Sequence, residues 1–327
     1  MGTLLQTLPD GPLDIVGDVH GELGALQNLL HHLGYDSEGD HPEGRHLVFV
    51  GDLVDRGPDS LGVVRLVAKL MQNGAASCIV GNHELNLLLG KRRAGNEWFW
   101  GESQELRDNG HVIEQVLADD DTRVEIMLFA LRLPLALQRA DLRVVHACWD
   151  SPAVKLLQEV QCGLVELFYD SEQAITLAAV DAGHMRNSMA ANLARQNDNP
   201  VTVLTSGQER PTDEPFRAGG QTRDVERVPW WETYEEPVEV VFGHYWRALD
   251  PDNRAVKRGP YLFGDRPYHQ ALGPLHNTYC VDFSVGYRNV ARAKGDVTRR
   301  STALAALRHP ERELMLDNGQ TVAITGT

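Results

Sequence analysis

Gly51-Asp52-Leu53-Val54-Asp55-Arg56-Gly57-Pro58 follows the apolar run Leu47-Val48-Phe49-Val50 and precedes a helix-like segment from Ser60. A packed core does not accept unpaired charges, so a buried strand that runs straight into Asp52, Asp55 and Arg56 reads as a strand end carrying a site. The flanks repeat that arrangement. Leu13 to Val19 reads as a short buried strand, and Glu22 to Leu33 as a helix with Leu23, Leu26, Leu30 and Leu33 on one side. His46 to Val50 is the second strand. Asp59 and Ser60 are placed to cap a helix in which Leu61, Val64, Val67 and Met71 recur at helical spacing, and Ala76 to Val80 is the third strand. The order βαβαβ predicts a parallel sheet layered by helices.

In that frame the polar residues fall at equivalent places. The first strand ends in Gly17-Asp18-Val19-His20-Gly21, the second in Gly51-Asp52 and the third in Gly81-Asn82-His83-Glu84. All three clusters are expected at the carboxyl edge of one sheet, where open α/β sheets place their ligands. Alternation along an extended segment would send Asp18 and His20 to the same side. Carboxylate and amide oxygens with imidazole nitrogens, and no thiolate, form a donor set suited to manganese, iron or zinc.

Gly-Asp-Val-His-Gly, Gly-Asp-Leu-Val-Asp-Arg-Gly and Gly-Asn-His-Glu, in this order, resemble the signature of the calcineurin-like metallophosphoesterases. Within that superfamily they are most similar to the phosphoprotein phosphatase group and its bacterial relatives, which include symmetrical dinucleoside tetraphosphate hydrolases. The resemblance implies an α/β fold, a four-layer α/β/β/α sandwich of two facing mixed sheets. It also implies one domain over residues 1–327, with a helical and loop cap inserted at about 150–236. Two further ligands are then expected. Leu133 to Leu137 and Leu142 to His146 flank the Arg139-Ala140-Asp141 turn as an antiparallel pair ending in His146, and Val238 to Phe242 is a buried strand ending in Gly243-His244.

Elsewhere the patterning is less specific. Glu97 to Leu133, Ala153 to Phe168 and Glu172 to Arg195 read as helical, and Val201 to Leu204 as a short strand. Gly207 to Tyr234 reads as a long loop ending in Trp230-Trp231, two indoles open either to cap packing or to stacking a base. Tyr279 to Phe283, Thr302 to Leu307 and Glu313 to Leu316 are expected as strands of the second sheet, with Asp317-Asn318-Gly319 as a turn.

Carried over residue by residue, the resemblance makes Asp18, His20 and Asp52 the ligands of one divalent ion and Asp52, Asn82, His146 and His244 those of the other. Manganese is the first expectation, iron or zinc the alternatives. A pair of cations about 3.5–4 Å apart would orient a bridging hydroxide for in-line attack on phosphorus. His83 takes the role of general acid, Asp55 orients it, and Arg56 grips phosphate with Asn82. A second arginine is expected before the last histidine; Arg186 is the first candidate, and Arg217, Arg223 and Arg247 are the others.

The leading functional expectation is a phosphomonoesterase resembling the phosphoserine/phosphothreonine protein phosphatases. The alternative is a dinucleoside tetraphosphate hydrolase, and a non-catalytic metal-binding scaffold is the third reading. Composition bounds the partners. The 327 residues are 42% hydrophobic and 24% charged, ordinary for a globular protein, and a net charge of -15 disfavours nucleic acid and anionic membrane surfaces. A phosphorylated protein, a small phosphoester or a nucleotide fits better. The four cysteines form no CxxC pair, and neither a signal peptide nor a run of eighteen apolar residues occurs, so a cytoplasmic protein with free thiols is expected.

Overall fold

Side-chain alternation along the first strands sorts apolar residues between two cores, and a computed structural model shows where each core lies. It describes residues 3–105, 112–218, 221–250, 260–295 and 302–326. The chain begins with β1 (Leu5–Thr7), β2 (Leu13–Val16), α1 (Leu23–Leu33), β3 (His46–Phe49), α2 (Ser60–Gln72), β4 (Ala76–Cys78) and α3 (Asn82–Leu88). A short pair, β5 (Gln104–Glu105) and β6 (Val112–Ile113), precedes α4 (Asp120–Ala130), β7 (Ala136–Gln138) and β8 (Leu142–Val145). Next come α5 (Ser151–Glu159), α6 (Leu164–Asp181), α7 (Met189–Asp198), α8 (Pro200–Ser206) and the hairpin of β9 (Glu209–Ala218) and β10 (Gln221–Arg227). The last elements are β11 (Glu239–Phe242), β12 (Thr278–Cys280), β13 (Asp282–Phe283), α9 (Arg288–Ala293), β14 (Ala303–His309), β15 (Glu313–Leu316) and β16 (Thr321–Ala323).

One sheet has the order β16-β15-β14-β2-β3-β4, with β13 paired to β14; the other has the order β1-β7-β8-β11-β12. Leu13, Ile15 and Val48 of the first sheet meet Leu142, Val144, Val241 and Tyr279 of the second in one core between the sheets. The intervening residues Val16, Leu47 and Phe49 face the opposite way, into a core shared with Leu26, Leu29, Val64 and Val67 of α1 and α2. Ala136, Val145, Val240 and Phe242 likewise face outward, towards Val154, Leu157, Val203 and Leu204 of α5 and α8. Both faces of both sheets are covered, giving the expected α/β/β/α layering and explaining why β2 and β11 are buried at every position. Among the described residues, no helix is long and apolar enough to cross a membrane.

Several local expectations change. Val201 to Leu204 lies in α8, not in a strand: the Asn199 side chain accepts from the amides of Val201 (3.1 Å) and Thr202 (3.4 Å), with Pro200 in the first turn. A stretch as short as Val-Thr-Val-Leu does not by itself separate a buried strand from a buried helix. Gly207 to Tyr234 is largely the β9–β10 hairpin. Ala153 to Phe168 breaks before Gly163, and Glu172 to Arg195 breaks at Gly183, with Ser188 capping α7. Among the described residues of Glu97 to Leu133, helix is confined to a 3-10 turn at Glu97–Trp100 and to α4, and 106–111 lie outside the described residues. The indole pair packs: Trp231 stacks between Phe242 and Phe263, and Trp230 donates to the Ala147 carbonyl at 3.0 Å.

The C-terminal strands divide between the sheets. β12 runs parallel to β11, as expected for the second sheet, but β14 pairs antiparallel with β2 and extends the first. Val281 and Asp282 therefore cross from one sheet to the other beside the carboxyl ends of β2 and β11.

Candidate metal centre

The carboxyl ends of β2, β3 and β4 deliver Asp18 and His20, Asp52, and Asn82 and His83, while β8 and β11 deliver His146 and His244 from the facing sheet. All of these side chains except that of Asn82 are buried. Backbone strain concentrates here. Among the described residues, nine other than glycine have positive φ, and seven of them (His20, Asp52, Asp55, Arg56, His244, Trp246 and Ser284) surround this cluster. Such conformations cost on the order of 1–3 kcal/mol each and persist where surrounding contacts over-determine them. His20 at φ 48° also shows that a turn, rather than extended alternation, aims it. Glycine precedes the candidate ligands for a spatial reason. A Cβ on Gly81 would lie 2.2 Å from Asp52 Oδ1, and one on Gly243 would lie 2.1 Å from Asp18 Oδ1.

Asp52 is central. Its Oδ2 lies 3.7 Å from His20 Nε2 and its Oδ1 lies 3.4 Å from His146 Nε2. Asp18 Oδ2 stands 3.9 Å from His20 Nε2. On the other side, Asn82 Oδ1 lies 3.2 Å from His146 Nε2 and 2.8 Å from His244 Nδ1. Two donors at right angles around one ion, each about 2.1 Å from it, are about 3 Å apart, so these separations suit shared ions. Two groups of possible ligands, His20–Asp52–His83 and Asp52–His146–His244, share Asp52, and the donor atoms of each lie within 4.8 Å of one another.

The second layer orients the donors. His20 Nδ1 faces the Val54 carbonyl at 3.0 Å and His146 Nδ1 faces the Val50 carbonyl at 2.7 Å, which turns each Nε2 into the cluster. Burial, followed by the charge of Asp282, pushes the Asp18 carboxyl well above its usual range. Burial would raise Asp52 as well, but His146 and His83 hold it well below. Burial lowers His146, yet Asp52 more than offsets this and brings it up to about 10. Burial and nearby arginines, Arg56 for His20 and Arg227 for His244, keep those two imidazoles well below their ordinary values and therefore neutral, the form that binds metal. Buried carboxylates crowded with two neutral imidazoles, an amide oxygen and a third imidazole that can give up its proton fit divalent cations.

Glu84 sets the loop that carries Asp52. Its Oε2 accepts from the amides of Asp52 and Gly81, both at 2.9 Å, and its Oε1 accepts from Leu53 at 2.8 Å and Val54 at 3.2 Å. Nothing local in Gly81-Asn82-His83-Glu84 marks this glutamate for that part.

Beside the candidate ligands runs a second chain of contacts. His83 Nδ1 lies 2.5 Å from Asp55 Oδ2, and Arg56 Nη2 donates to His83 Nε2 at 2.8 Å. Arg56 Nη1 donates to His20 Nε2 at 2.6 Å, the Asn289 amide holds the Arg56 carbonyl at 2.7 Å, and the guanidinium lies 4.7 Å from the Trp246 ring centre.

The candidate second arginines are scattered. Arg186 is exposed between α6 and α7, where its carbonyl accepts from Arg195. Arg247 is buried and donates to the carbonyls of Pro267 and Gln270. Arg223 is exposed on β10, and the Arg217 side chain lies outside what is described. It is Arg227, at the end of β10, that reaches the cluster: its Nη1 donates to the His244 carbonyl at 3.3 Å and its guanidinium lies over Tyr245. Asp282 also joins the site unannounced, accepting from the amides of Trp246 (2.9 Å) and Ser284 (2.8 Å).

Residues 11–134 match the calcineurin-like phosphoesterase family. Over 73 residues, 21% of this chain, the sequence is 51% identical to the asymmetrical bis(5′-nucleosyl)-tetraphosphatase PrpE of Halalkalibacterium halodurans. That match spans 30% of the relative's length. A longer likeness, 29% identity over 252 residues, joins 72% of this chain to 83% of the symmetrical bis(5′-nucleosyl)-tetraphosphatase of a Marinomonas species. Among solved structures, the cold-active protein-tyrosine phosphatase of a Shewanella species superposes with a TM-score of 0.50 at 18% identity, over 98% of this chain and 83% of that one. This last likeness is one of fold.

Proposed function

We propose that this chain, which carries a calcineurin-like phosphoesterase domain over residues 11–134, is a metal-dependent phosphohydrolase acting on nucleotide-borne phosphate, with dinucleoside tetraphosphates as its first substrate class. The observation that carries the hydrolase reading is the Asp55–His83–Arg56 chain lying against two ligand sets that share Asp52. Asp18, His20 and Asp52 would hold one divalent ion and Asp52, Asn82, His146 and His244 a second. When bound, such ions supply Lewis-acid polarisation of a phosphoryl group and activation of water.

The remaining work falls to the chain itself. Arg56 presents a planar fork that matches two phosphate oxygens, and Trp246 covers its face. Turning that fork from His83 to the substrate frees Nε2 of the imidazole to carry a proton. Asp55, hydrogen-bonded to Nδ1, stabilises the resulting imidazolium and points Nε2 at the leaving oxygen, to which His83 delivers the proton. With both nitrogens so committed, His83 serves as the acid rather than as a ligand. Arg227 takes the place of the second phosphate clamp ahead of Arg186, because its guanidinium already lies against His244. The segment 150–236, from which Arg227 comes, acts as the cap that shapes the substrate side.

The substrate ranking follows from the relatives, which are named as tetraphosphatases both in the short N-terminal match and in the longer one. A second reading, hydrolysis of phosphomonoesters on protein side chains, is supported by the intact acid and guanidinium pair beside the cluster. Manganese-loaded protein assayed in parallel on diadenosine tetraphosphate, a phosphopeptide, p-nitrophenyl phosphate and a 2′,3′-cyclic nucleotide separates the readings. The dinucleotide is expected to give the highest kcat/KM. A preference for the phosphopeptide would install the second reading, and turnover of none would refute both.

A further inference from the structure

The Asp55 carboxylate has two oxygens, and His83 uses only one. The other, Oδ1, accepts from the indole Nε1 of Trp98 at 2.8 Å. Trp98 is fully buried in the 3-10 turn Glu97–Trp100, and its carbonyl is held by the Ala118 amide at 2.9 Å. The Asp55 amide is fixed in turn by Ser60 Oγ at 2.9 Å. We propose that Trp98 is a positioning residue for the reaction: by filling Oδ1 it commits Oδ2 to His83 and holds the imidazole in the orientation that protonates the leaving group.

This rests on the hydrolase reading above. In the step concerned, the water oxygen bonds to phosphorus while the bond from phosphorus to the leaving oxygen breaks, its electron pair staying on that oxygen. The leaving oxygen takes the proton from His83 Nε2. Of the two water protons, one stays on the released phosphate and the other restores His83. A buried carboxylate that loses one of two donors can rotate and share its remaining charge differently, which weakens its hold on the imidazole. Trp98 touches neither phosphate nor the proton in transit. Its effect is confined to how well His83 is aimed.

The test compares wild type, Trp98→Phe and His83→Asn, each manganese-loaded, on aryl phosphates whose leaving groups run from 2,4-dinitrophenol to phenol. Phenylalanine keeps an aromatic ring in the buried site while removing the donor and part of the ring volume, and the volume change alone would not make the loss depend on the leaving group. A good leaving group needs no proton, so the 2,4-dinitrophenyl ester should turn over within about twofold of wild type, while kcat for phenyl phosphate falls about tenfold or more at unchanged KM. Equal losses on all esters, or no loss, would overturn the proposal. If His83→Asn fails to steepen the leaving-group dependence, the acid assignment itself falls; if it steepens while Trp98→Phe does not, only the Trp98 role falls. A readout that needs no Trp98 variant is the indole Nε1–H spectrum of 15N-labelled protein. Replacing His83 by Asn should move one buried indole resonance through Asp55, and an unchanged indole spectrum would count against the proposal.

Discussion

Replacing Glu84 by Gln tests how the centre is held open for its ligands. The carboxylate distributes four backbone amides evenly: Asp52 and Gly81 on Oε2, Leu53 and Val54 on Oε1. A carboxamide offers one oxygen and one NH2 group, so in either orientation two of those amides face a donor. A buried donor without a partner costs on the order of 1–3 kcal/mol, which puts the loss at roughly 2–6 kcal/mol. An opposing effect comes from charge. Burial, and then the neighbouring Asp52, push the Glu84 carboxyl from an ordinary 4.5 up to about 7, so the charge is held at an expense of roughly 3 kcal/mol that the neutral amide avoids. The two largely offset, and global stability should fall by at most about 3 kcal/mol.

Activity has no such compensation. The amides that Glu84 gathers set the path of the Asp52 loop, and a shift of about 1 Å in a reacting group costs about a hundredfold in rate. Thermal unfolding, metal content by elemental analysis and kcat, measured on the same preparation, should show a modest fall in Tm beside a loss of about two orders of magnitude in kcat. A kcat within threefold of wild type at unchanged metal content would refute the reasoning. So would a collapse of the fold, since that would mean the hydrogen bonds outweigh the buried charge by far.

Asp52→Asn should lower the bound metal per chain as well as kcat, because Asp52 is common to both ligand groups; retention of two tightly held ions by elemental analysis would contradict the shared-ligand geometry. Arg227→Ala should raise KM about tenfold or more, the worth of one charged hydrogen bond, while Arg186→Ala changes it less than twofold; the reverse pattern in steady-state kinetics would return the clamp to Arg186. His146, held at about 10 by Asp52 against the effect of burial, is protonated at neutral pH in the metal-free protein. A metal must displace that proton, so uptake should release about one proton and tighten about tenfold per pH unit between pH 6 and 9. Calorimetry in buffers of different ionisation enthalpy measures the release, and pH-independent affinity would contradict it.

The residues that the sequence made legible are those whose placement depends on one strand and the turn after it. Asp18, His20, Asp52, Asn82 and His83 each stand within a few residues of an apolar run, and parallel pairing of β2, β3 and β4 brings those strand ends to one edge. His146 and His244 follow the same local logic on the facing sheet, where β8 and β11 also pair in parallel. What escaped depends on partners far along the chain. β14 and β15 look like any short apolar strands, and only the antiparallel register of β14 against β2 places them in the first sheet and takes Asp282 to the seam beside the candidate ligands. Arg227 differs in no local way from Arg223, yet pairing of Arg227 with Glu209 sets it at the base of the hairpin and leaves Arg223 farther out along it. Trp98 sits in a stretch whose spacing suggests helix, and its meaning lies in one indole N–H aimed at a carboxylate 43 residues away in sequence. Turns that carry candidate ligands are legible locally because a metal accepts any oxygen or nitrogen donor of suitable type that reaches it. The groups that aim those ligands must instead meet one particular atom, and only the tertiary fold specifies where that atom is.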